Sequence, residues 1–275
     1  MNLKLDHVFI LVEPEAKVAE RLREHGFREG PRNTHPGQGT ANRRFYFANS
    51  MLELLWVQDA GEARNGPGRS LHLAERAEDH TASPFGVILV PCDDNVSLDM
   101  PFPGWHYQPA YFPPPKGFHV GENSRNITEP LCFYFPFQNP GVPKPQPNRN
   151  PHTVSEVIVS TPSTDTDGVL ELASKADLLS MRSGKEHLVE ITLDDHKLGR
   201  TEDYRPALPL ILRWEVDAEG KAGMLWLRHS LEAASDSLAI ASCGIKGCSE
   251  SVSIAATVKH CCICDLYLLL KGSSF

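Results

Sequence analysis

Between residues 5 and 12 the chain reads LDHVFILV, apolar at most positions and rich in β-branched and aromatic side chains, as in a buried strand. Alternation places His7, Phe9 and Leu11 on one face and Val8, Ile10 and Val12 on the other. Glu13-Pro14 ends the strand. Residues 15–25 then space Ala16, Val18, Ala19 and Leu22 as a helix would, with Lys17, Glu20, Arg21, Arg23 and Glu24 outside. Gly26 is a natural C-terminal stop, and Phe27 folds back onto the core. The next stretch, HPGQGT, is loop, with Gly37 and Gly39 open to conformations and close approaches that a Cβ forbids. FYFA and MLELLWV follow as a hairpin turning at Asn49-Ser50.

Two polar groups interrupt this apolar pattern. His7 lies inside the first strand and Glu53 inside the last, on a face shared with Met51, Leu55 and Val57. An ionised carboxylate there needs a partner. One reading pairs Glu53 with Arg43 or Arg44 across the hairpin. The other brings Glu53 together with His7 to ligate a divalent metal or a substrate hydroxyl. The pattern alone leaves both open.

Further along, PFGVILVP (84–91) and EPLCFYFPF (129–137) read as strands, with GWHYQPAYF and GFHVGEN between them. Thirteen of the 22 prolines fall between Pro101 and Pro151, which favours stiff extended loops over helix. Trp105, Tyr107, Tyr111 and Phe112, interleaved with them, suit the wall or lid of an apolar pocket. GVPKPQPNRNP (141–151) reads as a connector. HTVSEVIVSTP is then a strand, DGVLELASKADLL a helix, and HLVEITLDD and LPLILRW two more strands. HVFILVEP and SEVIVSTP align as an internal repeat. From about residue 235 the chain is Ser-rich and carries Cys243, Cys248, Cys261, Cys262 and Cys264, in a spacing that fits no common zinc pattern. A loosely packed extension is the expectation there, with the apolar DLYLLL available to dock.

The order strand–helix–three strands, the placement of His7 and Glu53, and the run GTANRRFYF…LELLWV together resemble the vicinal oxygen chelate superfamily, in particular its glyoxalase-like branch. The match covers about residues 3–58. It implies an α+β fold of paired βαβββ modules in a curved, cupped mixed sheet, as in glyoxalases, bleomycin-resistance proteins and dioxygenases. The implied divisions are a first module at 1–60, a helix-poor second module with Pro-rich lid loops at 84–137, a third segment at 152–216, and the non-family tail at 235–275. By the same resemblance His7 and Glu53 are metal ligands, for zinc, iron, manganese or nickel, with no organic cofactor. Glu53 is also the catalytic candidate. Asn42, Arg43 and Arg44 would orient a substrate carboxylate or carbonyl, with Trp56, Trp105 and Tyr107 as further substrate contacts. The second module offers no ligand type near Ser83 to Phe85, and Glu129 precedes its strand; His106, His119 and Glu122 are other candidates. The implied activity is metal-assisted isomerase, lyase or dioxygenase chemistry on a small oxygenated organic molecule. The alternative is a metal-free, drug-sequestering type of binder. The resemblance also admits a homodimer.

Composition narrows the field. With 275 residues, 41% apolar and 23% charged, the chain has the makeup of a globular protein. A net charge of −8 without a long basic run argues against nucleic acid as partner. No run approaches the roughly 18 apolar residues a membrane span needs. VFILV is short and followed at once by EPEAK, unlike a secretion signal, so the expected location is the cytoplasm, where disulfides are disfavoured. No Ser–His–Asp set, phosphate loop or dinucleotide fingerprint is present.

Overall fold

The computed structural model describes residues 2–92, 100–137, 148–162, 168–195 and 199–214, all within the first of two units into which the chain divides after Glu215. The Cys-rich tail and most of the connector 141–151 lie outside the described residues.

The chain opens with β1 (Leu3–Leu11), α1 (Ala19–Glu24), β2 (Asn33–His35), β3 (Thr40–Tyr46) and β4 (Met51–Val57). β5 (Phe85–Pro91), β6 (Gly104–Tyr107), β7 (Phe118–Gly121) and β8 (Leu131–Tyr134) complete an eight-stranded sheet in the order β2-β3-β4-β1-β5-β8-β7-β6. β1 runs parallel to β4, β5 parallel to β8, and β1 and β5 are antiparallel at the seam. The two halves thus repeat one another about that seam, and the sheet partner of residues 3–57 is 85–134. This is an α+β fold with a cupped mixed sheet. Residues from 154 onward build a second sheet from β9 (Val154–Thr161), β10 (Leu179–Ser183), β11 (Leu188–Leu193), β12 (Arg200–Asp203) and β13 (Leu210–Trp214), in the order β10-β9-β11-β13-β12.

One face of the large sheet packs on the small one. Val8, Ile10, Leu52, Leu54, Val87 and Leu89 share a buried cluster with Val157, Val159, Val189, Ile191, Leu210 and Leu212. Each such side chain contributes about 1.5–3 kcal/mol on burial. Two asparagines peg the layers together. Asn49 in the β3–β4 turn exchanges hydrogen bonds with the backbone of Val154, both at 2.8 Å. Asn150 is buried, accepts from the Arg28 N–H, and donates to the carbonyls of Arg28 and Tyr46.

The opposite face is the cup. A second cluster of Phe9, Leu11, Leu55, Ile88, Leu131 and Phe133 lines it. β1 reaches both faces through a bulge: its pairing with β5 shifts register between Leu5 and His7. Leu3 and Leu5 therefore join Val8 and Ile10 in the inter-sheet core, although their numbers differ in parity. Simple alternation misses this extra residue, Asp6.

The helical spacing over 15–25 is realised in part. A 3-10 turn at Pro14–Ala16, with Glu15 and Ala16 at φ of 67° and 46°, separates Ala16 from α1. The helix read over 167–179 is short as well: α4 covers Val169–Ala173, and the chain enters β10 through Leu178 at φ 70°. Between β4 and β5 lie two helices that the sequence pattern did not mark, α2 (Ala60–Asn65) and α3 (Leu73–Glu78). Leu71 and Leu73 from this segment pack into the cup cluster.

Candidate functional site

His7 and Glu53 meet on the cup face. β1 and β4 are adjacent and parallel, with Phe9 beside Glu53 in the register. His7 Nε2 lies 3.4 Å from Glu53 Oε2, with side chains 16% and 8% exposed. Asp6 Oδ2 sits 2.6 Å from His7 Nδ1, so the imidazole is held between two carboxylates. The bulge brings this about, since neighbours on a regular strand point to opposite faces. Ser50 Oγ donates to the Asp6 carbonyl at 2.9 Å and pins the bulge. Asn42 Nδ2 donates to Glu53 Oε1 at 2.5 Å, and its own Oδ1 accepts from the Asn33 N–H.

This geometry sets the charges. Burial disfavours the imidazolium, but hydrogen bonds to Asp6 and Glu53 outweigh it and hold the His7 pKa up to about 9. Burial also works against the Glu53 carboxylate, and the hydrogen bonds and charge of His7, with Asn42, pull its pKa below the usual range. In the metal-free protein the two form a buried ion pair.

A second polar group lines the same face. His35 stands opposite Thr40 in the β2–β3 pairing. Gln38 Nε2 donates to Thr40 Oγ1 at 2.9 Å, and His35 Nδ1 is 2.9 Å from the same oxygen. The hydroxyls of Tyr107 and Tyr111 both donate to Gln38 Oε1 at 3.2 Å. Beyond them the far half is a set of touching rings: Phe118 lies 5.5 Å from Phe133, 5.3 Å from Phe135 and 5.4 Å from Phe112.

Residues 5–88 match a family model described as a glyoxalase-like domain. Over that stretch, under a third of the chain, the protein is similar to a glyoxalase-like domain. Among solved structures it is similar to a hypothetical protein from Staphylococcus aureus, at TM-score 0.51 and 14% identity, covering 78% of this chain and 99% of that one. It also aligns with a methylmalonyl-CoA epimerase in complex with methylmalonyl-CoA and NH4+, at TM-score 0.32 and 13% identity, over 49% of this chain and 96% of the other. A variant Streptomyces coelicolor methylmalonyl-CoA epimerase in complex with 2-nitronate-propionyl-CoA gives TM-score 0.32 and 13% identity, over 52% and 98%. Among curated proteins none matches.

In this cup, His7, Glu53 and Asn42 stand together. Arg44 lies opposite Glu53 in the β3–β4 register and so shares its face, but its Nε donates to the Pro31 carbonyl and its guanidinium lies over Tyr46. Arg43 points the other way. It is buried, and it pairs with Glu29 and Glu20 in place of Glu53. Trp56 belongs to the inter-sheet cluster, so it lines no part of the cup. Hairpin register decides all three. Tyr107 is buried in the cup cluster and Trp105 packs against it, with its Nε1 donating to Ser124 Oγ. His106 and His119 oppose each other on the reverse face of β6 and β7, where His119 Nε2 meets the Phe102 carbonyl. Glu122 opens the 3-10 turn after β7, exposed.

The resemblance to the vicinal oxygen chelate superfamily implies a divalent metal, and the donor set answers in part. His7 Nε2 and Glu53 Oε2 converge, with Asp6 behind the ring and Asn42 behind the carboxylate, as outer groups commonly orient ligands. The other half of the cup presents Gly86, Ile88, Leu131 and Phe133 at paired positions of β5 and β8. Among the described residues no group of three or more His, Cys, Asp or Glu could hold an ion. The residues fit two protein ligands of an open site completed by water and substrate oxygens, and do not fit a closed four-ligand site.

Sequence reasoning missed Asp6, His35, Gln38 and Thr40. The signal for Gln38 was the pair of glycines around it. Gly39 has φ +71°, and a Cβ there would lie 2.4 Å from the Asp59 carbonyl oxygen and 2.6 Å from the Ala63 nitrogen. The Gly39 carbonyl also accepts from the N–H groups of Gln58 and Asp59. Gly39→Ala is expected to cost at least about 2 kcal/mol, through strain plus overlap with backbone that cannot yield. Thermal unfolding checks this; an unchanged midpoint contradicts the close approach.

Proposed function

We propose that the protein is an enzyme of the vicinal oxygen chelate type, binding a small oxygenated organic molecule in the cup and using Glu53 as its reactive group. The observation that carries this is the meeting of His7 and Glu53 in a cup otherwise largely apolar. A carboxylate held there by Asn42 accepts a proton from a bound substrate, and the aromatic half excludes water from the exchange. A divalent metal held by His7 and Glu53 would supply Lewis-acid stabilisation of developing oxyanion charge. Arg43 and Arg44 both have partners away from the cup, and its acids outnumber its cation. A neutral substrate bearing hydroxyl or carbonyl oxygens therefore suits it better than a carboxylate. Isomerase, lyase and dioxygenase chemistry all remain compatible with that arrangement.

The second reading is a metal-free binder on the same scaffold, favoured by the absence of a ligand-type side chain at Gly86, Ile88, Leu131 and Phe133. Metal analysis separates the two. Purified protein is dialysed against manganese, zinc or nickel and its bound metal measured for wild type, His7→Ala and Glu53→Ala, with circular dichroism as the check on folding. Stoichiometric metal in the wild type, lost in both folded variants, supports the ligand pair. Metal content unchanged in both variants ends the ligand assignment, and a metal-free wild type leaves the binder.

A further inference from the structure

Gln38 occupies an unusual position among the groups of the cup. It is 7% exposed, sits in the turn between β2 and β3, and touches side chains from two segments about 70 residues apart in sequence. Two phenol hydroxyls converge on one end of its amide and one threonine hydroxyl on the other. A carbonyl oxygen has two lone pairs and can accept from both phenols, while the NH2 end can only donate. With that orientation the next bonds follow. Thr40 Oγ1 accepts from Gln38, and its single proton is then free for His35 Nδ1, 2.9 Å away. The nitrogen that receives it must be bare.

We propose that Gln38 is a positioning residue of the cup: acting through Thr40, its amide holds His35 in the tautomer protonated on Nε2, while drawing the hydroxyl protons of Tyr107 and Tyr111 onto itself. The arrangement makes His35 a neutral donor on the sheet face that carries Glu53, and leaves the two phenol oxygens as acceptors. Burial keeps the His35 pKa below its usual value, in keeping with a neutral ring. The Tyr111 ring lies tilted against the imidazole, with centroids 5.1 Å and planes 44° apart, so the imidazole is confined as well as hydrogen-bonded. The ligand this selects carries an acceptor oxygen for His35 and a hydroxyl donor for the tyrosines: a neutral hydroxy-carbonyl compound or a polyol ether. That choice of ligand rests on the cup being the substrate site. The proton placement does not, and its test uses no ligand.

Protein labelled with nitrogen-15 at histidine, read by long-range proton–nitrogen correlation, distinguishes a bare ring nitrogen from a protonated one. The wild type is expected to show His35 bare at Nδ1 and protonated at Nε2. Gln38→Glu replaces the donor end by a second acceptor, so Thr40 turns its proton to the new carboxylate and Nδ1 of His35 gains one. Thr40→Val removes the relay and is expected to give a mixture of the two tautomers. A structural filler at position 38 would alter thermal stability without moving the proton. The proposal is overturned by a wild-type His35 protonated at Nδ1, or by Nδ1 staying bare in folded Gln38→Glu. Should that variant not fold, an undiluted Nε2 tautomer in Thr40→Val overturns it equally. Metal content and substrate turnover test the reading of the cup separately, so either can fail alone.

Discussion

Replacing Arg76 by methionine is expected to destabilise the fold by about 3–5 kcal/mol, the scale of stripping a buried charge site of one partner. Arg76 lies on α3 and is 3% exposed. Its guanidinium donates to the carbonyls of Leu71, Ser83, Ser124, Asn126, Ile127 and Glu129, at 2.7 to 3.3 Å. Burial lowers its pKa to about 10, still high enough to keep the charge at neutral pH. The carbonyls of Leu71, Ser83, Ser124 and Glu129, buried with the guanidinium, would lose this donor in a region closed to water. The loop 122–129, which leads into β8, would lose its anchor. Arg76→Lys should recover only part of the loss, because an ammonium has three donors and no planar fork. Urea unfolding of the three proteins decides it. A methionine variant within about 1 kcal/mol of wild type would show that the carbonyls find other donors.

The second large effect is a pH dependence centred on His7. Its folded pKa, about 9, lies above the ordinary 6.5. The folded protein therefore binds the extra proton between those values and the unfolded chain does not. Stability from this group is complete below about pH 6.5 and is lost as pH rises through about 9. The slope in that window is at most about 1.4 kcal/mol per pH unit. His7→Gln should flatten it. A divalent ion on Nε2 has to displace the same proton, so its affinity is expected to rise with pH up to about 9. In saturating metal the downward slope should vanish. Equal slopes for wild type and His7→Gln, both without metal, contradict the ion pair.

Much of the cup was legible because polar residues inside apolar strands stand out. His7 and Glu53 interrupt runs of Val, Ile, Leu and Phe, and β1 and β4 are brought side by side by the module order. The faces of the hairpin were harder. Whether Arg43 or Arg44 joins Glu53 depends on a register set by the turn at residues 47–50, and one step of slip exchanges them. Trp56 failed to reach the cup for the same reason. The bulge at Asp6 leaves no periodic trace, since it consists of a single added residue. Gln38 and Arg76 were invisible for a different cause. Each acts through partners far along the chain, Tyr107 and Tyr111 for one and loop 122–129 for the other, and spacing says nothing about such contacts. The short helices α2 and α3 lacked the long amphipathic stripe that marks a helix by pattern.

The irregularity in β1 has an implication for how this protein tolerates change. Asp6 and His7 are consecutive, and only a broken strand lets both serve one centre. Deleting Asp6 would restore an ideal ladder and keep Leu3 and Leu5 in the interior beside Val8 and Ile10, but would remove the carboxylate behind the His7 ring, trading chemistry for regularity. The count of residues between Leu5 and Val8 is therefore the quantity that evolution or an engineer must leave alone if Asp6 and His7 are to stay together.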